Sequence, residues 1–252
     1  MTTSIVGYPR IGAKRELKFA IEKFFKKELS ESELQEVAKA QRELNWQTQF
    51  KAGIDYIPSN DFSFYDTTLD TAFALNIVPE RYQALAISPL EKYFAAARGH
   101  QSEAGDVKAL AMKKWFNTNY HYMVPEFDDG TELKLDLTKL LSEYQEALAL
   151  GIATKPVLIG PYTLLKLIRF TGKTTIDTVL TDFVAIYSDI FKALAEEKIE
   201  WLQLDEPALV FDLTEADITL FKSIYTPLLA NKQTVKVLLQ TYFGDVRDIY
   251  SE

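Results

Sequence analysis

Residues 155–161 read KPVLIGP and residues 236–244 read KVLLQTYFG, and these two stretches decide the fold class. Each is a short apolar run bounded by turn-forming residues, which is typical of a strand that a sheet buries on both faces. Comparable runs predict four further strands. The six predicted strands cover residues 4–8, 55–58, 121–125, 156–160, 201–204 and 235–241.

Helical patterns lie between these runs. Ser30 and Glu33 form a capping-box pattern for a helix that ends before Gly53. Apolar residues also recur at helical spacing over residues 137–148 and 175–197. Because strands and helices alternate, the sequence predicts βα units, a mostly parallel sheet and an α/β fold.

The number of βα units bears on the architecture. About six units without an internal linker favour a TIM-type (βα)8 barrel that is incomplete in residues 1–252, since a closed barrel has eight strands. An open doubly wound sheet needs no closure and would make six strands complete. The barrel reading also predicts that the chain is a piece of a longer protein, because it stops shortly after the sixth strand.

Composition narrows the classes of function. The chain has 252 residues and a formal net charge of −8, which disfavours nucleic acid and anionic membranes as partners. It has no Cys and two His, so disulfides, thiolate chemistry and an imidazole metal site lose support. No apolar run reaches the ~20 residues of a membrane span, and no signal peptide is visible. We therefore expect a cytosolic protein.

Carboxylates follow two of the predicted strands. Asp205 and Glu206 follow the strand at 201–204, and Glu126 follows the strand at 121–125. Facing each other across a barrel mouth, such groups could act as acid and base in glycoside cleavage. Alternatively, Asp205 and Glu206 cap a helix whose first turn holds Pro207, or pair with a Lys or Arg.

Two aromatic-rich stretches allow either a planar ligand or a packed core. The first, within KWFNTNYHYMVPEF, contributes Trp115, Asn117, Asn119, Tyr120 and His121. The second, NDFSFYD, places Asp61 and Asp66 among aromatic rings. We expect His121 to be a core histidine, because apolar residues alternate around it.

A basic cluster lies near the start of the chain, in GYPRIGAKRELK at residues 7–18. On a helical wheel set by Leu17, the side chains of Lys14, Arg15 and Lys18 share one arc near a helix N-terminus. The backbone N–H groups and the partial positive charge there would favour an extended anion. A solvated surface is the alternative interpretation.

Five of these motifs, in this order, resemble the N-terminal domain of the cobalamin-independent methionine synthase family. They are GYPRIGAKRELK, DFSFYD, KWFNTNYHYMVPEF, KPVLIGPYT and WLQLDEPALV. The resemblance extends from the first predicted strand to the end of the chain. It implies that residues 1–252 correspond to the N-terminal, folate-tail-binding barrel of two (βα)8 barrels.

The resemblance also implies an activity and its partners. The family transfers a methyl group from 5-methyltetrahydropteroyltri-L-glutamate to homocysteine, on zinc held by the second barrel, which lies outside residues 1–252. No cofactor is then expected on this chain, and its partners would be the folate and its own C-terminal domain. Six residues match the positions for the polyglutamate tail: Lys14, Arg15, Glu16, Leu17, Lys18 and Lys114.

Two other classes of protein stay open at this stage. One is a self-contained barrel hydrolase that uses Glu126 and Glu206, for which the carboxyl groups should lie roughly 5–10 Å apart. The other is a non-catalytic binding module derived from the synthase. The resemblance assigns no role to Asp205 and Glu206.

Overall fold

The structure, a computed structural model, describes residues 2–247 and residue 250. Its helices are α1 (Glu16–Phe25), α2 (Glu31–Lys51), α3 (Thr67–Ala74), α4 (Glu80–Gln83), α5 (Pro89–Arg98), α6 (Thr138–Ala149), α7 (Pro161–Leu167), α8 (Ile176–Glu196) and α9 (Glu215–Ala230), with a 3₁₀ helix at Pro207–Val210. Its strands are β1 (Ile57–Ser59), β2 (His100–Ser102), β3 (Gly105–Val107), β4 (Met112–Lys114), β5 (His121–Met123), β6 (Glu126–Phe127), β7 (Thr154–Ile159), β8 (Arg169–Phe170), β9 (Trp201–Asp205) and β10 (Lys236–Gln240). Helices follow parallel strands along the chain, so the α/β prediction is confirmed.

The chain divides into two compact units. Unit 1 comprises Met1–Phe64 and Thr138–Val157, and unit 2 comprises Tyr65–Leu137 and Leu158–Glu252. Each unit is described by itself below.

Unit 1 combines helices α1, α2 and α6 with the parallel pair of β1 and β7. Ile57 to Ser59 lie opposite Thr154 to Pro156 in this pair. The predicted capping box begins α2: Ser30 Oγ accepts a hydrogen bond from the N–H of Glu33, and the Glu33 carboxylate accepts one from the N–H of Ser30 at 2.7 Å. The predicted start and end of α2 are therefore confirmed.

Two apolar clusters lie in the core of the described part of unit 1. Trp46, Ile57, Ala147 and Ile152 form the first, and Leu17, Ala38 and Phe62 form the second. The indole N–H of Trp46 donates to the carbonyl of Pro58 at 3.1 Å, so this buried polar group has a partner. The second cluster fixes α1 through the side chain of Leu17, which has no solvent exposure.

Unit 2 is built on the parallel pair of β9 and β10 and on helices α7, α8 and α9. Trp201 to Asp205 lie opposite Lys236 to Gln240. Helix α8 buries one stripe, as its periodicity predicts: Val179, Phe183, Ile186, Tyr187, Ile190, Phe191 and Leu194. The hydroxyl of Tyr187 donates to the carbonyl of Ile159, in the same unit, at 2.7 Å.

Two short antiparallel hairpins in unit 2 do not follow from the βα pattern. β2 pairs with β3, and β4 pairs with β5. The predicted strand at 121–125 therefore ends at Met123 and belongs to a hairpin, whereas β6 and β8 form a short parallel pair. Local turn chemistry at residues 115–120 decides this pairing, because the N–H of Trp115 donates to the carbonyl of Tyr120 at 2.7 Å.

The predicted strand at 4–8 is wrong. Only an isolated parallel bridge joins Ser4 to Tyr56 there. Side chains hold this segment instead: the Lys155 ammonium donates to the carbonyl of Ile5 at 3.0 Å, and the Asp61 carboxylate accepts from the N–H of Tyr8 at 2.8 Å.

Barrel closure stays a prediction. Within the described part of the chain, the arrangement of the strands does not show a closed TIM barrel. None of the helices in that part of the chain combines the length and the apolar character that a membrane crossing needs.

Candidate functional site

The basic cluster lies on a loop and on the first turn of α1 in unit 1. Helix α1 begins at Glu16, and Arg15 precedes it with a left-handed backbone at φ 62°. Lys14 and Arg15 therefore lie outside the helix, and only Lys18 lies within it. The prediction of one shared helical arc is wrong in this respect, because a turn closed by the Arg15 N–H and the Gly12 carbonyl, at 3.1 Å, precedes the helix.

This loop is fixed to the rest of unit 1 by side chains. The Asp61 carboxylate holds the N–H of Tyr8, and the guanidinium of Arg10 donates to the carbonyl of Ser63 at 2.8 Å. The amide of Asn45 donates to the carbonyl of Pro9 at 3.2 Å. Burial raises the pKa of Asp61, against the hydrogen bond from Tyr8. The loop that carries the basic residues is thus held in place before any ligand arrives.

Glu16 and Leu17 hold the backbone that carries the basic cluster. The Glu16 carboxylate accepts the N–H of Lys14 at 3.0 Å. Gly12 has a φ of 86°, and a Cβ at this position would overlap Glu16 Oε2 and lie 2.6 Å from Gln41 Oε1. The side chain of Leu17 is fully buried. These two residues therefore shape the loop and anchor the helix, whereas the cations face solvent.

The cations of the cluster have few acidic partners. Among residues 2–247 and 250, no ion pair joins the side chains of Lys14 or Arg15 to a carboxylate, and both residues are exposed. Lys18 lies 3.8 Å from Glu22 in a half-exposed i,i+4 pair. Exposed pairs of this kind contribute only about 0.2–1 kcal/mol, so Lys18 can exchange Glu22 for an anionic ligand.

Lys114 belongs to unit 2, at the exposed end of β4, where it lies opposite His121. Its neighbour Lys113 lies opposite Tyr122 and is also exposed. Successive side chains of a strand point to opposite faces, so these two lysines offer their charges on different sides of the hairpin.

The aromatic stretch forms the turn between β4 and β5. Phe116 has a left-handed backbone at φ 52°, and Trp115 packs against Phe116 and Tyr122 at ring distances of 5.0 and 5.7 Å. Asn117 and Asn119 are exposed at this turn, as is Tyr120. His121 is exposed. The prediction of a core histidine is wrong, since the pairing turns that side chain outward while Tyr122 and Met123 are buried.

Glu206 caps a helix, but a different one from the helix that the sequence suggested. Its carboxylate accepts the N–H groups of Tyr162 and Thr163 in the first turn of α7, at 3.0 and 2.6 Å. The hydroxyl of Tyr225 donates to it at 2.6 Å. It makes no side-chain cap for the 3₁₀ helix that begins at Pro207. Burial outweighs these hydrogen bonds and raises the pKa of Glu206 to about 7.

The other carboxylates also have protein partners. Asp205 accepts from the Gln203 amide at 2.7 Å and from the Tyr242 hydroxyl at 3.2 Å. Glu126 forms an ion pair with Arg81 at 2.6 Å and a second with Arg169. Since Glu126 and Glu206 are both engaged, these contacts favour ion pairing and helix capping over an acid and base pair for glycoside cleavage.

Asp66 likewise has a structural role. Its carboxylate accepts the N–H of Leu69 at 2.8 Å, which caps α3, and the N–H of Met123 at 3.1 Å. Burial raises the pKa of Asp66 to about 7. The NDFSFYD stretch therefore anchors a loop through Asp61 and a helix through Asp66.

The described residues contain no donor set that fits a metal. No group of three or more His, Asp or Glu side chains among residues 2–247 and 250 could hold a metal ion, and the sequence has no Cys. The zinc that the family resemblance implies is expected on a second barrel outside residues 1–252, so no chemical step is assigned to it on this chain.

The sequence reasoning missed the residues that fix the basic loop. Arg10 and Asn45 hold its backbone, and Gln41 lies close to Gly12. Arg10 lies within the quoted motif, so its place beside the Gly7–Pro9 turn was a usable signal. The role of Asn45 follows only from the packing of α2, for which a single sequence gives no sign.

Comparison with known proteins gives a consistent set of relatives. The family described as cobalamin-independent synthase, N-terminal domain, matches residues 2–252. A 5-methyltetrahydropteroyltriglutamate–homocysteine methyltransferase from Lactococcus lactis subsp. cremoris is 55% identical over 252 residues, covering 100% of this chain and 33% of the relative. The protein of the same name from Streptococcus suis is 55% identical, covering 100% of this chain and 34% of the relative.

A solved structure supports the fold. It is described as a candidate vitamin-B12-independent methionine synthase from Listeria monocytogenes, and it is similar with a TM-score of 0.62 at 13% identity. The match covers 95% of this chain and 65% of that chain. At this identity the likeness concerns the fold alone. The chain spans about a third of the length of the curated relatives it matches.

Proposed function

We propose, from the premise that this chain belongs to the family of cobalamin-independent synthase N-terminal domains, that it serves as the N-terminal part of a methyltransferase. The whole enzyme would transfer the methyl group of 5-methyltetrahydropteroyltri-L-glutamate to the sulfur of homocysteine. The bond between the methyl group and N5 of the folate breaks as the S–C bond of methionine forms, and N5 gains a proton in place of the one that the thiol gives up. The relatives that carry this name support the proposal.

Within that activity, we assign residues 1–252 to binding the glutamate tail of the folate. Lys14, Arg15 and Lys18 would meet its carboxylates in unit 1, and Lys114 would meet them in unit 2. The observation that carries this assignment is an anchored loop whose cations are exposed and lack strong acidic partners. In this assignment, Glu16 and Leu17 hold the loop and the helix rather than the ligand.

The energetics require several contacts together. Each exposed Lys or Arg contributes on the order of 0.2–1 kcal/mol to a carboxylate contact. Arginine can bind a carboxylate with two parallel hydrogen bonds, whereas lysine acts as a point charge. A tail with several γ-linked glutamates offers one carboxylate per residue, so affinity should rise with tail length.

Catalysis would need the part of the enzyme that lies outside residues 1–252. We propose that a C-terminal domain is the partner of this chain, that zinc belongs to that domain, and that the enzyme works in the cytoplasm. The family resemblance supports these three statements. Residues 1–252 alone should therefore show no methyl transfer to homocysteine, and measurable transfer would contradict this assignment.

Calorimetric titration tests the tail site. The chain is titrated with 5-methyltetrahydropteroyl triglutamate and with the monoglutamate. The same titrations are made on the double variant Lys18→Ala and Lys114→Ala. We expect the triglutamate to bind more tightly than the monoglutamate, and the double variant to weaken triglutamate binding by about 2- to 20-fold.

A matched control variant has the same net charge as the Lys18→Ala and Lys114→Ala double variant. The double variant Lys51→Ala and Lys113→Ala also removes two exposed lysines, one at the end of α2 and one on the opposite face of β4. It should bind the triglutamate as the unaltered chain does. Equal losses in both double variants would mean that only net charge matters, and the proposed tail site would be wrong.

A further inference from the structure

A cluster of three phenylalanine rings lies on unit 2 without a role in the proposed tail site. The Phe cluster consists of Phe116 in the turn between β4 and β5, Phe211 after the 3₁₀ helix, and Phe243 after β10. We propose that the Phe cluster binds the planar arene of an aryl-glutamate ligand by ring stacking. This inference rests on the proposed function, because it concerns the aromatic ring that precedes the glutamate tail in the same folate.

The geometry of the cluster provides a stacking surface. Phe116 and Phe211 lie 5.0 Å apart with an interplanar angle of 29°, and Phe116 and Phe243 lie 5.6 Å apart at 40°. Phe211 is 49% exposed and Phe243 is 47% exposed. Phe116 packs against both other rings and is partly buried, whereas Phe211 and Phe243 remain about half exposed. Exposed aromatic rings that pack together offer a flat apolar surface on which a planar ring can stack.

The backbone holds two of these rings at a conformational cost. Phe116 has a φ of 52° and Phe243 a φ of 76°, and bulky residues rarely adopt the left-handed region. Backbone strain of this kind costs on the order of 1–3 kcal/mol per residue and is concentrated at functional sites. Both strained residues belong to the same exposed cluster.

Neighbouring contacts fix the loop that carries Phe243. The Tyr242 hydroxyl donates to the buried Asp205 carboxylate at 3.2 Å. A Cβ at Gly244 would lie 2.8 Å from Val210 Cβ, so only glycine lets the loop approach the residue that precedes Phe211. The cluster is therefore positioned before a ligand binds, which lowers the entropy cost of stacking.

The positive charge of Lys114 near the Phe cluster favours an arene that is joined to a glutamate. Lys114 is exposed and lies two residues before Phe116, which limits the separation of their Cα atoms to about 7 Å. In an aryl-glutamate, one amide group joins the ring to the first glutamate. A ring stacked on the Phe cluster would leave its first carboxylate near Lys114. Neutral arenes and purely apolar partners would gain nothing from this lysine.

Two ligands without the pterin ring test the inference. The chain is titrated with 4-aminobenzoyl-γ-triglutamate and with N-acetyl-γ-triglutamate, which has the same tail and no arene. We expect the aryl ligand to bind about 2- to 10-fold more tightly, as one aromatic contact would give. In Phe211→Leu this difference should vanish, while the affinity for the acetyl ligand stays unchanged.

Three control measurements distinguish the loss of ring stacking from a general disturbance of packing. Phe211 has an ordinary φ of −75°, so Phe211→Leu adds no backbone strain, and its fold is checked by circular dichroism. Phe211→Tyr keeps a ring and should keep the difference between the ligands. Phe50→Leu removes a ring that is 58% exposed in unit 1 and should leave both affinities unchanged.

The outcomes distinguish the two proposals. Equal binding of both ligands by the unaltered chain, or a difference that persists in Phe211→Leu, would overturn the arene site and leave the tail site standing. If Lys18→Ala and Lys114→Ala weaken neither ligand, the tail site itself fails, whatever the Phe variants do.

Discussion

The cations around α1 in unit 1 and the carboxylates of unit 2 differ in how many partners the protein gives them. Lys14 and Arg15 are exposed and join no carboxylate among the described residues, whereas Glu206 is buried and accepts three hydrogen bonds. Glu126 has two arginines. Both regions drew attention in the sequence because charged residues follow turns or strands. Their surroundings, rather than their residue types, separate a surface that can bind a ligand from groups that hold the fold.

This difference has a thermodynamic meaning. Removing a buried acceptor leaves its donors unsatisfied, at about 1–3 kcal/mol for each group. Removing an exposed cation without a partner costs the fold almost nothing. The two regions should therefore respond oppositely when stability and ligand affinity are measured on the same variants.

The largest effect is expected for Glu206→Ala. The N–H groups of Tyr162 and Thr163 and the hydroxyl of Tyr225 lose their acceptor in a buried place. We expect the free energy of unfolding at pH 7 to fall by about 3–5 kcal/mol in urea titrations. Glu103→Ala removes an exposed glutamate of the same unit and should change it by less than about 0.5 kcal/mol. A similar loss of unfolding free energy in both variants would contradict a special structural role for Glu206.

The stability of the chain should also depend on pH through the buried carboxyl group of Glu206. The pKa of Glu206 is raised from 4.5 to about 7, so the folded chain retains a proton that the unfolded chain loses between these values. Stability from this group is present below about pH 4.5 and is lost as the pH rises to about 7, by about 3 kcal/mol in total. The raised pKa of Asp66 acts in the same direction.

Glu206→Gln isolates this contribution because its side chain does not titrate. Urea midpoints at pH 5 and pH 8 should fall less in Glu206→Gln than in the unaltered chain. The pH dependence that the raised pKa of Asp66 causes is present in both proteins and serves as the internal reference. The same decline in both would show that Glu206 is ionised throughout the range.

The smallest expected effect concerns the basic cluster, where substitutions should lower ligand affinity and leave stability almost unchanged. In Arg15→Gln with Lys18→Gln, we expect the dissociation constant for the triglutamate folate to rise about 2- to 20-fold, because two carboxylate contacts are lost. The free energy of unfolding should change by less than about 0.5 kcal/mol, since only the exposed pair of Lys18 and Glu22 is broken. Calorimetry and urea titration on the same preparation check both parts. Lost stability with unchanged affinity would make these cations structural.

Much of the fold was predictable where a local pattern sufficed. Ser30, Glu33 and Gly53 fixed the ends of α2, and the apolar stripe from Val179 to Leu194 fixed α8. The strand at 4–8 was mispredicted because its partners are side chains far along the sequence, such as Lys155. The hairpin of β4 and β5 was missed because the left-handed Phe116 turn has no glycine to announce it.

In the candidate site too, features set by local sequence were predictable and features set by tertiary packing were not. The basic residues were visible in the sequence, but the helical arc predicted for them was wrong, because α1 begins only at Glu16. The capping role of Glu206 was predicted in kind, yet its helix, α7, begins 45 residues earlier, at Pro161. Such pairings depend on tertiary packing, which no local spacing encodes. The Phe cluster joins residues 116, 211 and 243 and was invisible for the same reason.

The most direct test of the central claim is the ratio of the monoglutamate to the triglutamate dissociation constant for the unaltered chain, measured by calorimetry at about 20 and about 200 mM salt. If exposed cations bind the tail carboxylates, this ratio is well above one at low salt and falls toward one at the higher salt, because screening weakens exposed charge contacts. A ratio of one at both salt concentrations, with measurable binding of each ligand, would contradict the account.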